Sequence, residues 1–515
     1  MKQIKIKKDA YYDSVFLMLA SKAVKAIDGV MEAVASMGTG TNRGLLVDIG
    51  FDPAVVHRAG PNDLIIAAEA DSEEIIQKAF EAVDDFLSKK NEPAGDEETY
   101  LPVSLGNAIR FSGDSNLVLI SIPGEYAARE ARIALNNGLH VMMFSDHVSI
   151  EDEIILKQLA REKGLLMMGP DCGTAIINGV PLCFANAVKK GSIGLVAASG
   201  SGLQEVTCCI DKFGAGISQA LGTGGRDLKD PRIGGAMMRM GIQALSADDD
   251  TAVIVVISKP PAPGVADEII AELKNSGKPC VVCFLGQAKK NPEGTLVFAH
   301  TLEEAAALSV EKAGVPNASF PAAEETDDVL ILEEIKKKRP SQKYIRGLFA
   351  GGTLADEARV ILEDNHLAIH SNIQPDKALK LKNPRKSTEH TLIDLGDDAF
   401  TIGRPHPMID PAIRHEQLEI ELADPQVAVI LMDFVLGYGA HENPAGLMAE
   451  QMEAVQKEGR YDLEAITFIA SITGTDDDFQ NMAEQKALLE KLNCIVMPSN
   501  ARASRLAAQI IKRIN

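Results

Sequence analysis

Two segments of this 515-residue chain carry the same three-part signature. Ser192-Ile-Gly-Leu-Val-Ala-Ala-Ser-Gly-Ser-Gly-Leu-Gln-Glu205 and Tyr344-Ile-Arg-Gly-Leu-Phe-Ala-Gly-Gly-Thr-Leu-Ala-Asp-Glu357 each pass from an apolar strand pattern through a turn of small residues into a helical pattern. Such a turn aims backbone N–H groups beyond the strand end, and the helix dipole favours an anion there. Ser199, Gly200, Ser201 and Gly202 in one copy, and Gly351, Gly352 and Thr353 in the other, are candidate phosphate-binding residues. The two turns could face one phosphate or carboxylate from opposite sides. The structural alternative is that the glycines only permit a tight strand-to-helix turn.

Element order repeats around these turns. The apolar run 248–257 has its counterpart in 423–432, 221–227 is matched in position by 394–398, and 280–286 by 465–471. Four matched elements in one order predict two copies of a flavodoxin-like domain, over 191–318 and 343–515. Upstream, the continuous apolar run Asn116-Leu-Val-Leu-Ile-Ser-Ile122 reads as a parallel strand covered on both faces. Helical patterns over 126–137 and 149–163 and strands over 140–144 and 165–168 make βαβ units, so 112–190 is predicted to be Rossmann-like. Residues 1–95 read as strand (3–7), helix (14–27), strands (31–36, 63–69) and helix (72–90), a small α+β domain of the split βαβ kind. The stretches 90–98 and 315–342, rich in charge and turn formers, read as linkers.

Composition narrows the partners. A formal net charge of −21 repels nucleic acid and anionic membrane surfaces. A small anionic substrate must then be held by local dipoles and a few Arg or Lys. The longest apolar runs, 251–258 and 426–432, are far too short to span a bilayer, and residues 1–8 alternate like a strand rather than a signal peptide. A cytoplasmic protein is expected. The seven cysteines are odd in number and lie mostly in apolar runs, which argues against disulfides. Cys280-Val-Val-Cys283 sits in a buried-strand pattern and reads as core, not as a metal or redox pair, and no metal site is expected.

The stretch Gly169-Pro-Asp-Cys-Gly-Thr-Ala-Ile-Ile-Asn178, followed by the first glycine turn and by Leu221-Gly-Thr-Gly-Gly-Arg-Asp227, resembles the succinyl-CoA synthetase superfamily, and within it the FdrA-type proteins. In the synthetase α chain a GPNCPG-like, an SRSGTLTYE-like and a GIGGDP-like turn occur in that order. The α-chain likeness runs over 112–315, and the domain from 343 is similar to the flavodoxin-like domain that ends the synthetase β chain. The FdrA likeness spans essentially the whole chain, including 347–355, Arg404-Pro-His-Pro-Met-Ile-Asp-Pro411 and Met432-Asp-Phe-Val-Leu-Gly-Tyr-Gly439. It implies an α/β protein: a Rossmann-like CoA-binding-type domain, then two flavodoxin-like succinyl-CoA-synthetase domains, with a small α+β domain in front. In the synthetase two helix N-termini aim at a phosphohistidine, so the resemblance implies a phosphate cradle made by the two turns.

Two departures redirect the chemistry. The synthetase carries its phosphorylated histidine in an MGHAGA-like loop after the strand matching 281–286. Here Gln287-Ala-Lys-Lys-Asn-Pro-Glu-Gly-Thr-Leu-Val-Phe-Ala-His300 follows, without HAGA, and His300 aligns beyond the missing loop as a surface residue. The glycine turn that holds the CoA phosphates gives way to the N-terminal domain and linker, and no ATP-grasp domain follows. The FdrA type is associated with oxamate carbamoyltransferase, which interconverts carbamoyl phosphate plus oxamate with oxalurate plus phosphate, as one of several subunits. That reaction needs no phosphohistidine, CoA or ATP, so no cofactor is expected.

Charge development in such a transfer calls for preorganised donors. Arg226 is a fork donor suited to carboxylate or phosphate, or a surface Arg ordering its loop. His406, held between prolines, could act as an acid or base near neutral pH, or be structural. Asp433, a candidate catalytic residue, and His441-Glu442 follow a strand where open α/β sheets place ligands, or cap a helix or order their loop. Asp171 lies at another strand end, and Cys172 beside it reads as packing. Gly222, Gly224 and Gly225 are candidate cofactor-binding residues, although their spacing is not GxGxxG. Three readings stay open: a carbamoyltransferase component acting with other subunits as an oligomer, an acyl-CoA synthetase-like ligase using CoA and a nucleotide, and a non-catalytic regulatory subunit.

Overall fold

The computed structural model describes residues 1–8, 10, 12, 14–25, 27, 29–88, 102–287, 291–316, 318 and 328–514. They form two compact units, Met1–Pro102 and Val103–Asn515. The linker stretch 90–98 lies outside the described residues, as do 317 and 319–327 of the second linker.

The first unit runs β1 (Lys2–Lys7), α1 (Ser14–Lys25), β2 (Val30–Met37), α2 (Gly40–Asp48), α3 (Pro53–Val56), β3 (Leu64–Ala70) and α4 (Glu73–Ser88). Its three strands are antiparallel in the order β1-β3-β2. β3 is central and buried on both faces. Leu17 and Val24 of α1 and Ile76, Phe80 and Val83 of α4 cover one face. Leu46, Phe51, Val56 and Ala59, from the segment between β2 and β3, cover the other. The pattern of residues 1–95 does not reveal α2, because Leu45, Leu46 and Val47 are consecutive and show no helical period. A local device starts it: the Thr39 side chain accepts the Asn42 N–H.

The second unit opens with α5 (Leu105–Phe111), β4 (Leu117–Ile120), α6 (Gly124–Asn136), β5 (His140–Met143), α7 (Ile150–Lys163) and β6 (Met167–Met168). Its parallel three-stranded sheet has the order β4-β5-β6. A hairpin, β7 (Thr174–Ile177) and β8 (Val180–Cys183), leads into β9 (Lys190–Ala198), α8 (Gly200–Lys212), β10 (Ile217–Gly222), α9 (Ala236–Ala247), β11 (Val253–Ser258), α10 (Val265–Lys274), β12 (Cys280–Phe284), β13 (Leu296–Phe298) and α11 (Leu302–Ala313). α12 (Asp328–Lys336) then precedes β14 (Tyr344–Phe349), α13 (Gly352–Asp364), β15 (His370–Ser371), β16 (Thr391–Asp394), α14 (Asp398–Thr401) and α15 (Ala412–Leu422). The chain closes with β17 (Val427–Val435), α16 (Pro444–Glu458), β18 (Thr467–Thr473), α17 (Met482–Lys491), β19 (Ile495–Met497) and α18 (Asn500–Ile514). No helix among the described residues is long and apolar enough to cross a membrane.

The larger sheets have the orders β13-β12-β11-β9-β10-β7-β8 and β15-β16-β14-β17-β18-β19. Set side by side, β10-β9-β11-β12-β13 and β16-β14-β17-β18-β19 are the same parallel arrangement, the doubly-wound order in which the first strand lies inside the sheet. The protein is an α/β protein of succinyl-CoA-synthetase-like fold with a small N-terminal domain. All four cysteines of α8 and β12 are buried core residues, in keeping with their apolar runs.

The two halves exchange glutamates. Glu205 of α8 accepts the Asn500 N–H that opens α18, at 3.1 Å, and Glu357 of α13 accepts the Leu302 N–H that opens α11, at 2.7 Å. Each helix thus caps the last helix of the other half, as in an isologous dimer contact. Asn500 Nδ2 also donates to Glu357 at 2.7 Å. Burial, with Glu205 and Glu303 nearby, pushes the Glu357 carboxyl up to about 7. A carboxyl raised on folding contributes its stability below its unfolded pKa and loses it as pH rises through the folded one. The unfolding midpoint is therefore expected to fall between about pH 4.5 and about pH 7, with a shallower slope in Glu357→Gln. Chemical denaturation across that pH range checks it, and equal slopes would refute it.

Candidate functional site

α8 and α13 both start at the topological switch point of their sheets, after an inner strand with neighbours on either side. At α8 the Ser199 side chain caps the helix by accepting the Gly202 N–H at 2.9 Å. The N–H groups of Gly200 and Ser201 have no protein acceptor among the described residues. Thr174, at the start of β7, is only 2% exposed, and its Oγ1 has no hydrogen-bond partner among the described residues. That hydroxyl lies 3.4 Å from where a Cβ on Gly200 would sit. An orphan hydroxyl beside Gly200 and a helix start with two amides lacking an acceptor make this turn a candidate anion site.

The second turn is built differently. Asp433 accepts the N–H groups of Ala350 and Gly351, each at 2.7 Å, and takes Arg414 at 2.7 Å. Sequence places Asp433 after its strand as a candidate catalytic group. It lies instead inside β17, fully buried, because the strand continues to Val435. Its carboxylate occupies the Gly351 amide expected to bind phosphate, leaving Gly352 N–H without a protein acceptor among the described residues. The two turns also meet directly. Ser199 and Thr353 hydroxyls are 2.6 Å apart, and Thr353 N–H reaches Ser201 Oγ at 3.3 Å. A phosphate cannot lie between those hydroxyls, so the two turns do not sandwich one anion there.

Other expected residues fall nearby with altered roles. The loop after β10 packs on the loop after β6: a Cβ on Gly224, whose φ is +85°, would stand 2.1 Å from Pro170 O. One on Gly222 would stand 2.5 Å from Cys172 Sγ. The close approach that these glycines allow is to the protein's own backbone, and Gly225 faces the Asp171 carboxylate. Arg226 is held by Glu153 at 2.9 Å and by Val148 O at 2.9 Å, with its side chain about one-third exposed (35%). His406 accepts the Met408 N–H at Nδ1, which leaves the proton on Nε2. Burial, then Arg414, pushes its pKa down to about 4, so the near-neutral acid or base role expected for it becomes that of a neutral donor. Burial pushes the Cys172 thiol up to about 12, in line with packing.

Sequence reasoning singled out neither Asp394 nor Lys259. Asp394 ends β16, is 7% exposed, and its Oδ2 lies 2.4 Å from where a Cβ on Gly352 would be. Its Oδ1 accepts the Gly396 N–H at 2.9 Å. Lys259, just past β11, pairs with Asp356 of α13, one residue beyond its first turn, at 2.5 Å. Asp394 is an isolated carboxylate in an apolar strand and Lys259 a lysine after one. The pairing of β16 with β14 brings Asp394 to the start of α13, and the packing of the two halves brings Lys259 to Asp356. His300 goes elsewhere: it bonds Asp364 at 2.7 Å, at the far end of α13 from the turn. At 1.5 Å per residue that end is roughly 18 Å away.

Residues 348–510 match a family model described as CoA-ligase, and residues 1–101 match one described as AllF, heavy metal-associated domain. Residues 1–101 contain no cysteine and a single histidine, His57, a set that does not fit a soft heavy-metal ion. Over 511 residues the chain is 43% identical to YahF of Escherichia coli K12, covering 99% of this chain and 98% of that one. It is 27% identical over 241 residues to subunit alpha-2 of the ADP-forming succinate–CoA ligase of Trichomonas vaginalis, covering 44% and 75%. A dinucleotide-forming acetyl-coenzyme A synthetase of Ca. Korarchaeum cryptofilum, solved with phosphate and ADP, aligns over 82% of this chain and 88% of that one at 16% identity and a TM-score of 0.31.

Proposed function

The chain belongs to the family of the Escherichia coli protein YahF, and from that premise we propose that it is an acyl-transfer enzyme of the acid–CoA ligase kind whose α8 N-terminus holds the phosphate of an acyl phosphate. The observation that carries this is the buried Thr174 hydroxyl without a partner, set against the free amides of Gly200 and Ser201. In the transfer, the acceptor attacks the acyl carbon, the C–O bond to phosphate breaks, and the leaving phosphate takes the electron pair. Fixed amides and hydroxyls stabilise that charge at no cost in reorganisation. In the ligase reading the acceptor is the CoA thiol, the acyl group comes from a small carboxylic acid, and a nucleotide supplies the phosphate through other subunits.

A second reading, carbamoyl transfer between carbamoyl phosphate and oxamate, is favoured by the chemistry of the 287–300 segment. It has no histidine before His300, and His300 is tied to Asp364. Direct transfer needs no phosphohistidine. The match of residues 1–101 to an AllF-type model points the same way, toward allantoin breakdown.

Calorimetry with inorganic phosphate tests the site. Binding is expected, weakened about tenfold in Thr174→Val, since a hydrogen bond to a charged group contributes about 1.5–3 kcal/mol. Absence of phosphate binding would overturn both readings. Phosphate release from acyl phosphates in the presence of CoA, against release from carbamoyl phosphate with oxamate, each with partner subunits, separates them.

A further inference from the structure

The proposed phosphate site uses the α8 start and leaves the chemistry at the α13 start unused. There Asp394 is buried to more than nine-tenths, and only one of its two carboxylate oxygens is bonded, Oδ1 to Gly396 N–H. Among the described residues Oδ2 has no hydrogen-bond partner, and it lies beside the start of α13 at Gly352, whose amide has no protein acceptor there either. His406 Nε2 approaches the same turn, 2.6 Å from where a Cβ on Gly396 would lie, and that position is 3.2 Å from Asp394 Oδ1. The groups facing Asp394 are Lys259 past β11, Asp356 on α13, Asp397 on its own loop and the neutral His406. Thr353, one residue after Gly352, touches Ser199, so Asp394 lies one helix turn-start away from the phosphate donors.

Building on the acyl-phosphate reading above, we propose that Asp394 is the group that takes the acceptor's proton, and that the acceptor is therefore a protic nucleophile, an N–H or S–H compound, and not a carboxylate. The nitrogen or sulfur attacks the carbonyl carbon of the acyl phosphate, and a C–N or C–S bond forms. The C–O bond to phosphate breaks, its electron pair leaving on the phosphate held at α8. The N–H or S–H proton passes to Asp394 Oδ2. No oxidant, reductant or further co-reactant is involved. A carboxylate acceptor would bring no proton, and a basic oxygen beside its path would repel it. Burial pushes the Asp394 carboxyl up to about 7, which makes it a competent base at neutral pH.

Sulfate, which stays dianionic from pH 6 to pH 8, is the probe for the full-length protein. As Asp394 gains its charge over that range, sulfate affinity is expected to drop about tenfold. Asp394→Asn is expected to hold it level within about twofold, and Asp171→Asn, the control for the other nearby carboxyl, to keep most of the drop. In the assembled complex, Asp394→Asn should slow acceptor-dependent phosphate release about 100-fold, with the acid limb of the pH profile removed. Sulfate binding that is level with pH in the wild-type protein, or equally steep in Asp394→Asn, overturns the role of Asp394 and leaves the phosphate site standing. No sulfate binding at either pH overturns the phosphate site itself.

Discussion

Asp433→Ala is expected to destabilise the second unit by about 3–5 kcal/mol, the cost of leaving a buried charge without its partner. Three donors lose their acceptor at once: the amides of Ala350 and Gly351 and the guanidinium of Arg414. Arg414 is 3% exposed and cannot turn to solvent. The same carboxylate presets the α13 N-terminus, so Thr353 should lose its register against Ser199 and phosphate binding should weaken as well. Formate is a fitting rescue, because the alanine leaves a carboxylate-sized space lined by two amides and an arginine. The unfolding midpoint of Asp433→Ala is expected to rise with added formate by more than that of the wild-type protein. Equal responses would mean that Asp433 acts by packing and not as the turn's own anion.

Lys157→Met is expected to cost a comparable amount, about 3–5 kcal/mol, at a second place. Lys157 is 1% exposed and donates to Glu153 at 2.7 Å, Asp227 at 2.8 Å and Thr223 O at 3.1 Å. Asp227 in turn accepts the Met237 and Met238 N–H groups at the start of α9. Methionine fills the volume but leaves two buried carboxylates facing each other. The loop 222–227 should then loosen from the Rossmann-like part, freeing Arg226 from its place beside Glu153. A drop in the denaturant midpoint at unchanged slope would report the loss. An unfolding free energy within about 0.5 kcal/mol of wild type would show that the network is neutral and that the loop is held by glycine packing alone.

The two proposals about the crevice rest on residues of different visibility. Ser199, Gly200, Ser201, Gly352 and Thr353 stand out because a turn of small residues between an apolar strand and a helix is a local pattern, and local patterns survive in one dimension. The repeated strand order was equally visible, since most of the strands are dominated by apolar residues. Thr174, Asp394 and Lys259 carry no such mark. Each is a single polar residue at or near a strand end, like many others, and its meaning comes from what elements distant in sequence place beside it. Asp433 shows the same limit from the opposite side: an aspartate at the edge of an apolar run looks available, and only the continuation of β17 to Val435 shows it to be spent on the fold's own amides.

By itself, then, the sequence determined that this protein has two like halves, each with a strand that feeds a helix through small residues, because periodicity and turn chemistry are properties of neighbours along the chain. The tertiary structure alone decided which of the two helix starts is free for an anion and which already has one. That decision rests on Asp433, Thr174 and Asp394, each distant in sequence from the helix start it serves and brought to it only when the sheets form.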